Sequence, residues 1–363
     1  MSIIRIEGFD HYDENTAASK LTLGSNSTVD TDAGRGGAGT GALAWTGSVV
    51  GYSYVSLGGS YTELFIGFAV LNGSTVTTES ELCAFVGGGG GIQFVLNVTP
   101  AGNLYVTRGS GSTILGIGSA VLSSSAWNYI EIYATIADSG GNVKVWVNDN
   151  LDIDYTGDTK GAVADTDVSS IGFRYGSFRD SLVDDFYALD PNVSPHQTRL
   201  GNCKVDTLYP EANGDTNDFT PSAGSNYENV DERPPDDDTT YNQSSAPGDV
   251  ELYDMDDLAA NTEIYALQVS AYARKTDAGS LTVRLGAKVG GAEHWGPDIG
   301  LSTDFDYLKR IIEQDPDTGT SWTRSGVNGA QFGVKVADNL TTPAPTTLAT
   351  TLAPTTLATT PAP

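Results

Sequence analysis

Short alternations of apolar and polar residues recur along this chain, and glycine, asparagine, aspartate or proline interrupts each before a helical period can build up. A period of two places every second side chain on one face, which is what a strand buried on one side requires. Residues 127–136 (WNYIEIYATI) and 143–147 (VKVWV) alternate cleanly, and Asp138-Ser139-Gly140-Gly141-Asn142 between them has hairpin-loop chemistry. Asn148-Asp149-Asn150 makes the next turn. Residues 61–71 (YTELFIGFAVL), 92–98 (IQFVLNV) and 103–108 (NLYVTR) read the same way, with the Pro100 to Gly102 turn joining the last two. Shorter strands are expected at 42–45, 151–155, 170–175 and 182–189. So many strands at regular turn spacing specify an all-β sandwich or barrel, not an α/β fold.

At 363 residues the chain suits two domains and a tail. The first domain is expected over 1–191 and a second, smaller β-rich one over 200–338. Within the latter, 211–249 is polar and includes Pro234-Pro235-Asp236-Asp237-Asp238. With few large aliphatics, it is expected to form a long acidic loop. Alternation returns at 263–274 (EIYALQVSAYAR), with Ile264, Ala266, Gln268, Ser270 and Tyr272 on one face, and at 280–289 (SLTVRLGAKV). Residues 307–313 (YLKRIIE) fit a strand or a helix, 321–327 a single helical turn, and 330–336 (AQFGVKV) a final strand. Beyond Asp338 no charged residue occurs, and 346–354 (TTLATTLAP) is nearly repeated at 355–363 (TTLATTPAP). Residues 339–363 therefore read as an extended, O-glycosylatable Thr/Ala/Pro tail.

A formal charge of −27, from 46 acidic and 19 basic residues, repels phosphate backbones and anionic lipid, so no nucleic-acid partner is expected. No apolar run reaches membrane-spanning length, and the alternating start at Met1 is too short for a signal-peptide core. Neither membrane insertion nor an export signal is expected. Cys83 and Cys203 lie in strand-like contexts and are expected to be buried thiols. His11, His196 and His294 are isolated, which does not suit zinc. The Gly87 to Gly91 run has no following Lys-Ser/Thr, so it reads as a hairpin or a place where another backbone comes close.

The strand motifs also have an order. An opening strand ends in Gly8-Phe9-Asp10, a middle one carries Trp127-Asn128-Tyr129-Ile130-Glu131, the next ends Val147-Asn148-Asp149, and a closing one reads Val183-Asp184-Asp185-Phe186-Tyr187. This order resembles the laminin-G/concanavalin A-like lectin superfamily over roughly the first 190 residues. The resemblance implies a concanavalin-like jelly-roll sandwich. The second region is similar to a module of tailed-bacteriophage virion proteins, through Lys204-Val205-Asp206-Thr207-Leu208-Tyr209-Pro210, residues 265–275, Asp315-Pro316-Asp317-Thr318-Gly319 and Gln331-Phe332-Gly333-Val334. It implies a place on the virion exterior, as fibre, tail appendage or capsid decoration. The implied partners are other virion proteins or copies of this chain in a homo-oligomer, and cell-surface glycan.

Glycan binding calls for an exposed aromatic platform beside polar donors. Tyr52, Tyr54 and Trp295 lie in glycine-rich, loop-like surroundings and are the candidates, whereas Trp45, Trp127, Trp146 and Tyr175 fall within strands and default to the core. The lectin-like resemblance adds calcium as a candidate ligand, at Asp184 and Asp185, although adjacent strand residues point to opposite faces. Retaining glycanases place two carboxylates about 5–5.5 Å apart, which on a strand means one face. Glu131 has no such neighbour in sequence, so the chain is expected not to be an enzyme. The alternatives are a secreted lectin-like adhesin with a mucin-like stalk, or a polysaccharide-degrading enzyme.

Overall fold

The computed structural model describes residues 1–17, 20–45, 51–71, 78–111, 113–174, 181–244, 246–258, 263–337, 351–352 and 355–359. The chain divides into two compact units, Met1–Lys204 and Val205–Pro363.

The first unit is a two-sheet sandwich. One sheet has eight strands, in the order Asn150–Gly157, Gly141–Val147, Asn128–Thr135, Glu63–Leu71, Ser181–Leu189, Ala42–Trp45 and Ser27–Asp30, with Ile3–Glu7 also paired to Ser181–Leu189. The other has seven, in the order Thr113–Val121, Asn103–Arg108, Ile92–Val98, Ser80–Val86, Val168–Phe173, Ser53–Tyr61 and Leu21–Thr22. Alternation decides what fills the space between them. Phe173 of the seven-stranded sheet meets Phe68 and Phe186 of the eight-stranded one edge-on, at centroid distances of 5.1 and 5.7 Å. Phe85 stacks on Phe94 at 4.1 Å. Cys83 and Cys203 are buried free thiols. Asn148 and Asp149 both take positive φ (46° and 68°), the conformation a tight hairpin turn demands.

The first unit extends past residue 191, and Glu131 holds the extension. Its buried carboxylate accepts from the Tyr187 hydroxyl (2.6 Å), the Gly201 N–H (2.8 Å) and Arg199 (2.5 Å), which also reaches Asp149 (2.8 Å). The Leu200 N–H in turn donates to Tyr187.

In the second unit, Ile264–Ala273 lies between Asp306–Ile312 on one side and Thr351–Leu352 and Thr355–Thr359 on the other. Another sheet orders Pro210–Asn217, Val250–Met255, Gln331–Val336, Thr282–Val289 and Ala292–Trp295, with Ile299–Gly300 also on Thr282–Val289. Residues 307–313 resolve as a strand, Asp306–Ile312. The expected helical turn is Arg324–Asn328, whose N-cap Thr323 accepts from the Gly326 N–H at 3.0 Å. A register shift between Ile264 and Ala266 turns Ile264 into the core, away from the face that alternation assigned it.

Two expectations are corrected. The polar stretch 211–249 is not a plain loop: it contains Pro210–Asn217 and the paired strands Thr220–Pro221 and Asn242–Gln243. Asparagine amides order it from within. Asn226 donates to the Phe219 carbonyl, Asn229 to those of Ala223 and Ser225, and Asn242 to the Asn226 carbonyl and the Tyr253 hydroxyl. The tail is not wholly extended coil either, because Thr351–Leu352 and Thr355–Thr359 pair as strands. Residues 339–350 lie outside the described residues, as does Tyr175.

Candidate functional site

The outer face of the seven-stranded sheet is built by register. Gly172 pairs with Tyr54 and Phe173 with Ser53, so Val55 and Phe173 point inward while Tyr52, Tyr54 and Ser56 point outward. Gly172 leaves room above the sheet. A Cβ there would stand 3.0 Å from ring atoms of both Tyr52 and Tyr54. The two rings therefore lie low over the sheet, 5.7 Å apart with a 37° tilt, against Ala84, Val86 and Val95.

A polar row crosses the same face. Glu81 pairs with Asn97, and Asn97 with Tyr105, so the three side chains share one face. The Tyr52 hydroxyl donates to Glu81 Oε2 at 2.7 Å, and Arg174 donates to the same oxygen at 2.5 Å. The Arg174 guanidinium also sits 5.4 Å from the Tyr52 ring centroid. Burial and the Glu81 carboxylate push the Tyr52 hydroxyl far above its ordinary range, so it remains a neutral donor. Burial and the Glu79 carboxylate push Tyr105 up to about 12.

Beside Tyr54 the face opens into a cleft of about 610 Å³. Thr22, Ser56, Ser60, Ser169 and Ser170 line it with hydroxyls, and Lys20 closes one side. Lys20 belongs to a buried ionic group. Its ammonium stands 3.5 Å from Glu7, 2.5 Å from His11 Nε2 and 5.1 Å from the Tyr12 ring centroid, while Arg5 reaches Glu7 at 3.1 Å. Burial, opposed by Glu7, brings Lys20 down to about 8. Burial works to raise Glu7, but Lys20, Arg5 and His11 outweigh it and hold the carboxyl down to about 2.

The five-glycine run forms the rim of the same sheet and meets another segment of backbone. Asp165 accepts from the N–H groups of Gly89 (3.1 Å) and Gly91 (2.9 Å), and Asp167 from that of Gly88 (3.2 Å). A Cβ at Gly87 would sit 2.4 Å from Asp165. Gln93 ties this segment down, donating to the carbonyls of Asp165 and Asp167 and accepting from the Gly161 N–H, each at 3.0 Å.

The sequence-selected residues separate. Tyr52 and Tyr54 come together on the outer face, half-buried. Trp295 belongs to the second unit, where it lies over Gly286 and donates to Glu293 at 2.9 Å. Asp184 and Asp185, the candidate calcium ligands, turn toward one arginine. Asp185 has φ of 52° in a register shift between Asp184 and Tyr187, and both carboxylates are buried. The Arg35 N–H donates to Asp184 at 2.7 Å, and its guanidinium to Asp185 at 2.9 Å, to the Cys203 carbonyl at 2.8 Å and to Asn202 at 2.6 Å. A protein cation thus stands beside the candidate calcium ligands, and among the described residues no group of three or more His, Cys, Asp or Glu side chains is placed to hold a metal ion. Burial, with Asp185 and Asp10, pushes the Asp184 carboxyl well above its usual range.

Sequence reading missed Glu81, Tyr105, Arg174 and Gly172. Only their cross-strand pairing brings them to the tyrosines, and that pairing has no local signature.

No family model matches this chain, and no curated protein matches it. Solved structures are similar to about half of it. Alginate lyase Aly36B is similar at 13% identity and a TM-score of 0.37, over 51% of this chain and 96% of that one. A galectin-like protein of unknown function from Bacillus subtilis is similar at 10% identity and a TM-score of 0.39, over 52% of this chain and 96% of that one. Trypanosoma rangeli sialidase bound to the inhibitor DANA is similar at 11% identity and a TM-score of 0.33, over 46% of this chain and 28% of that one. At these identities and TM-scores the likeness carries no argument about a site; the all-β sandwich is shown by the chain's own sheets. The expectation that the chain is not an enzyme is withdrawn, since an alginate lyase and a sialidase are among these similar structures.

Proposed function

We propose that the outer face of the seven-stranded sheet binds glycan, and that the chain displays it on the exterior of a phage particle as a fibre, tail-appendage or decoration component. The observation that carries the glycan reading is the Tyr52–Tyr54 pair lying over Gly172. Aromatic rings held flat on a rigid strand pair offer apolar faces to the C–H side of a sugar ring. Around them, Glu81 and Arg174 supply charge-assisted partners for hydroxyls, and the hydroxyl-lined cleft beside Tyr54 extends the surface. Its volume of about 610 Å³ falls in the range of about 300–1,000 Å³ typical of small-ligand sites.

The placement on a particle is supported by the resemblance of the second region and by the net charge of −27, which keeps crowded copies soluble.

Glycan-array binding of the full chain and of Tyr54→Ala tests the first part. Binding that Tyr54→Ala abolishes is expected; absence of binding, or binding untouched by the substitution, overturns it. New reducing ends or unsaturated products from a bound polysaccharide would show that the face also cuts what it holds. Mass spectrometry of purified particles tests the second part, and absence of the chain there overturns it.

A further inference from the structure

The seven-stranded sheet of the first unit ends on Thr113–Val121, whose one strand partner among the described residues is Asn103–Arg108. Ile114, Ile117 and Val121 on this edge stand 52%, 67% and 61% exposed, which makes them, with Met1 and Leu151, the exposed large apolar side chains among the described residues. Register puts all three on one face. Ile114 pairs with Thr107, Ile117 with Tyr105 and Val121 with Asn103, and these partners alternate with the core positions, on the same outer face as Asn97. Three positions apart, Ile114 and Ile117 would point to opposite faces of a regular strand. The register shift between Ile114 and Gly116 turns them to the same one. An aliphatic stripe thus runs along the rim of the outer face, in water rather than in the core.

The backbone of this edge is closed at one end and open at the other. Asp152 accepts from the Ser119 and Ala120 N–H groups at 2.7 and 2.8 Å, and a Cβ at Gly116 would stand 2.6 Å from a methyl group of Ile153. The strand is thus held against Asn150–Gly157 of the other sheet, while residues 113–117 keep the outward N–H and C=O groups of a sheet edge. Folded proteins usually guard such an edge with a lysine, a proline or another charge. Here the guard is missing. Gly109 to Ile130 contains no charged residue and no proline, in a chain of net charge −27.

We propose that Thr113–Val121 is a self-association surface: two copies of the chain pair edge to edge and antiparallel through residues 113–117, and their aliphatic stripes close against each other. Three features select a second copy as the occupant. An antiparallel strand edge is its own complement under a two-fold axis, because donors and acceptors alternate along it. Opposed residues of such a pair share a face, so the stripe of one copy meets the stripe of the other and both leave water. Charge completes the choice. Copies at −27 repel, and this uncharged edge lets them approach without setting carboxylates against each other, whereas a basic partner would be drawn to other surfaces. Pairing joins the two seven-stranded sheets into one, with both outer faces on the same side. The inference stands without the glycan reading; where that reading holds, two Tyr52–Tyr54 platforms share one surface and engage a polymeric ligand together.

Sedimentation velocity of the full chain over a concentration series, in salt that screens the net charge, tests the proposal. A reversible dimer is expected. Ile117→Lys, at a side chain already in water, should weaken it about tenfold or more by setting two ammonium groups into the closed stripe. Ser139→Lys makes the same change of charge at an exposed position of the hairpin loop and should leave the dimer as it is. Amide exchange of the natural chain gives a reading that needs no variant: protection of residues 113–117 should rise with chain concentration. Three results overturn the proposal: a chain that stays monomeric, a dimer that Ile117→Lys weakens no more than Ser139→Lys does, or a dimer that forms without added protection at 113–117.

Discussion

Tyr54 lies over Gly172 across the strand pair that joins them, so closely that a methyl group at position 172 would stand 3.0 Å from its ring. The glycine is thus a spacing device: its missing side chain sets the height of the aromatic platform. Gly172→Ala should fold, since the strand backbone there needs no left-handed conformation, but it should lift both rings. Overpacking of this kind costs about 1–3 kcal/mol. The substitution should lower the thermal midpoint modestly and weaken glycan binding, both measurable on the same preparation by calorimetry. Unchanged glycan affinity would show that ring height is irrelevant.

Tyr52 and Arg174 converge on one oxygen of Glu81, which fixes the Tyr52 hydroxyl as a donor. Tyr52→Phe keeps the ring and removes the donor. A hydrogen bond to a charged group is worth about 1.5–3 kcal/mol when buried, and less here because Glu81 and Arg174 are partly exposed. Tyr52→Phe should therefore leave the fold intact, while Glu81→Ala releases both Tyr52 and Arg174 and should impair glycan binding more. Equal binding by the two variants would remove Glu81 from the site.

Arg35 joins the loop before Ala42–Trp45 to the buried Asp184–Asp185 pair. Arg35→Ala leaves Asp185, whose side chain is 2% exposed, without its cation. Breaking a buried pair from one side costs about 3–5 kcal/mol. Urea unfolding of the first unit should show a loss of that order, and Arg35→Lys should recover only part of it, because an ammonium cannot span Asp185, Asn202 and the Cys203 carbonyl as the guanidinium does. A loss below 1 kcal/mol, the surface-pair range, would mean the bridge is not structural.

How much of this was legible in the sequence follows from the range over which each feature is determined. The hairpin from Asn128 to Val147 and the turn at Asn148-Asp149 were readable because alternation and turn chemistry are local. Tyr52 and Tyr54 were found as candidates by type and surroundings, but Gly172 lies well over a hundred positions away, and only strand register brings it under them. Asp184 and Asp185 defeated alternation because a register shift with one left-handed residue turns both toward Arg35. In 211–249, composition argued against a core, and asparagine amides satisfying backbone groups provide the order instead. The tail's composition speaks for extended chain, and nothing local reveals that a sheet leaves a place for it.

Glu251 is buried in the second unit and accepts from the Phe219 N–H at 3.0 Å. Burial raises its carboxyl from 4.5 to about 8, with the hydrogen bonds from Phe219 and Asn226 opposing. Between those values the folded state holds a proton that the unfolded chain has lost, so this group's contribution to stability falls as pH rises through the window. Glu251→Gln keeps an acceptor for Phe219 and cannot ionise. Its stability relative to the natural chain should improve steadily from pH 5 to pH 8 in urea unfolding, and a constant difference would show that Glu251 does not titrate there.

The Glu7–Lys20 group acts with the opposite sign. Glu7 has a folded value of about 2 against 4.5 unfolded, so between these the unfolded chain binds more protons and stability rises with pH. Its contribution is complete above 4.5 and is lost as pH falls toward 2. At about 1.36 kcal/mol per unit, the shift corresponds to about 3 kcal/mol. Lys20, at about 8 folded against 10.5 unfolded, is also lowered. For a base this means that the cost of burying the charged ammonium is present below about 8 and fades by 10.5, so stability again rises with pH across that interval. Glu7→Gln removes the partner that offsets this cost. The variant should be several kcal/mol less stable than the natural chain near neutral pH, with the gap closing as both are taken from pH 5 toward pH 2, where the natural chain's Glu7 is itself protonated. The other carboxylates titrate alike in both proteins, so the narrowing isolates Glu7. Urea midpoints that run parallel over that range would mean the buried carboxyl owes nothing to Lys20 and Arg5.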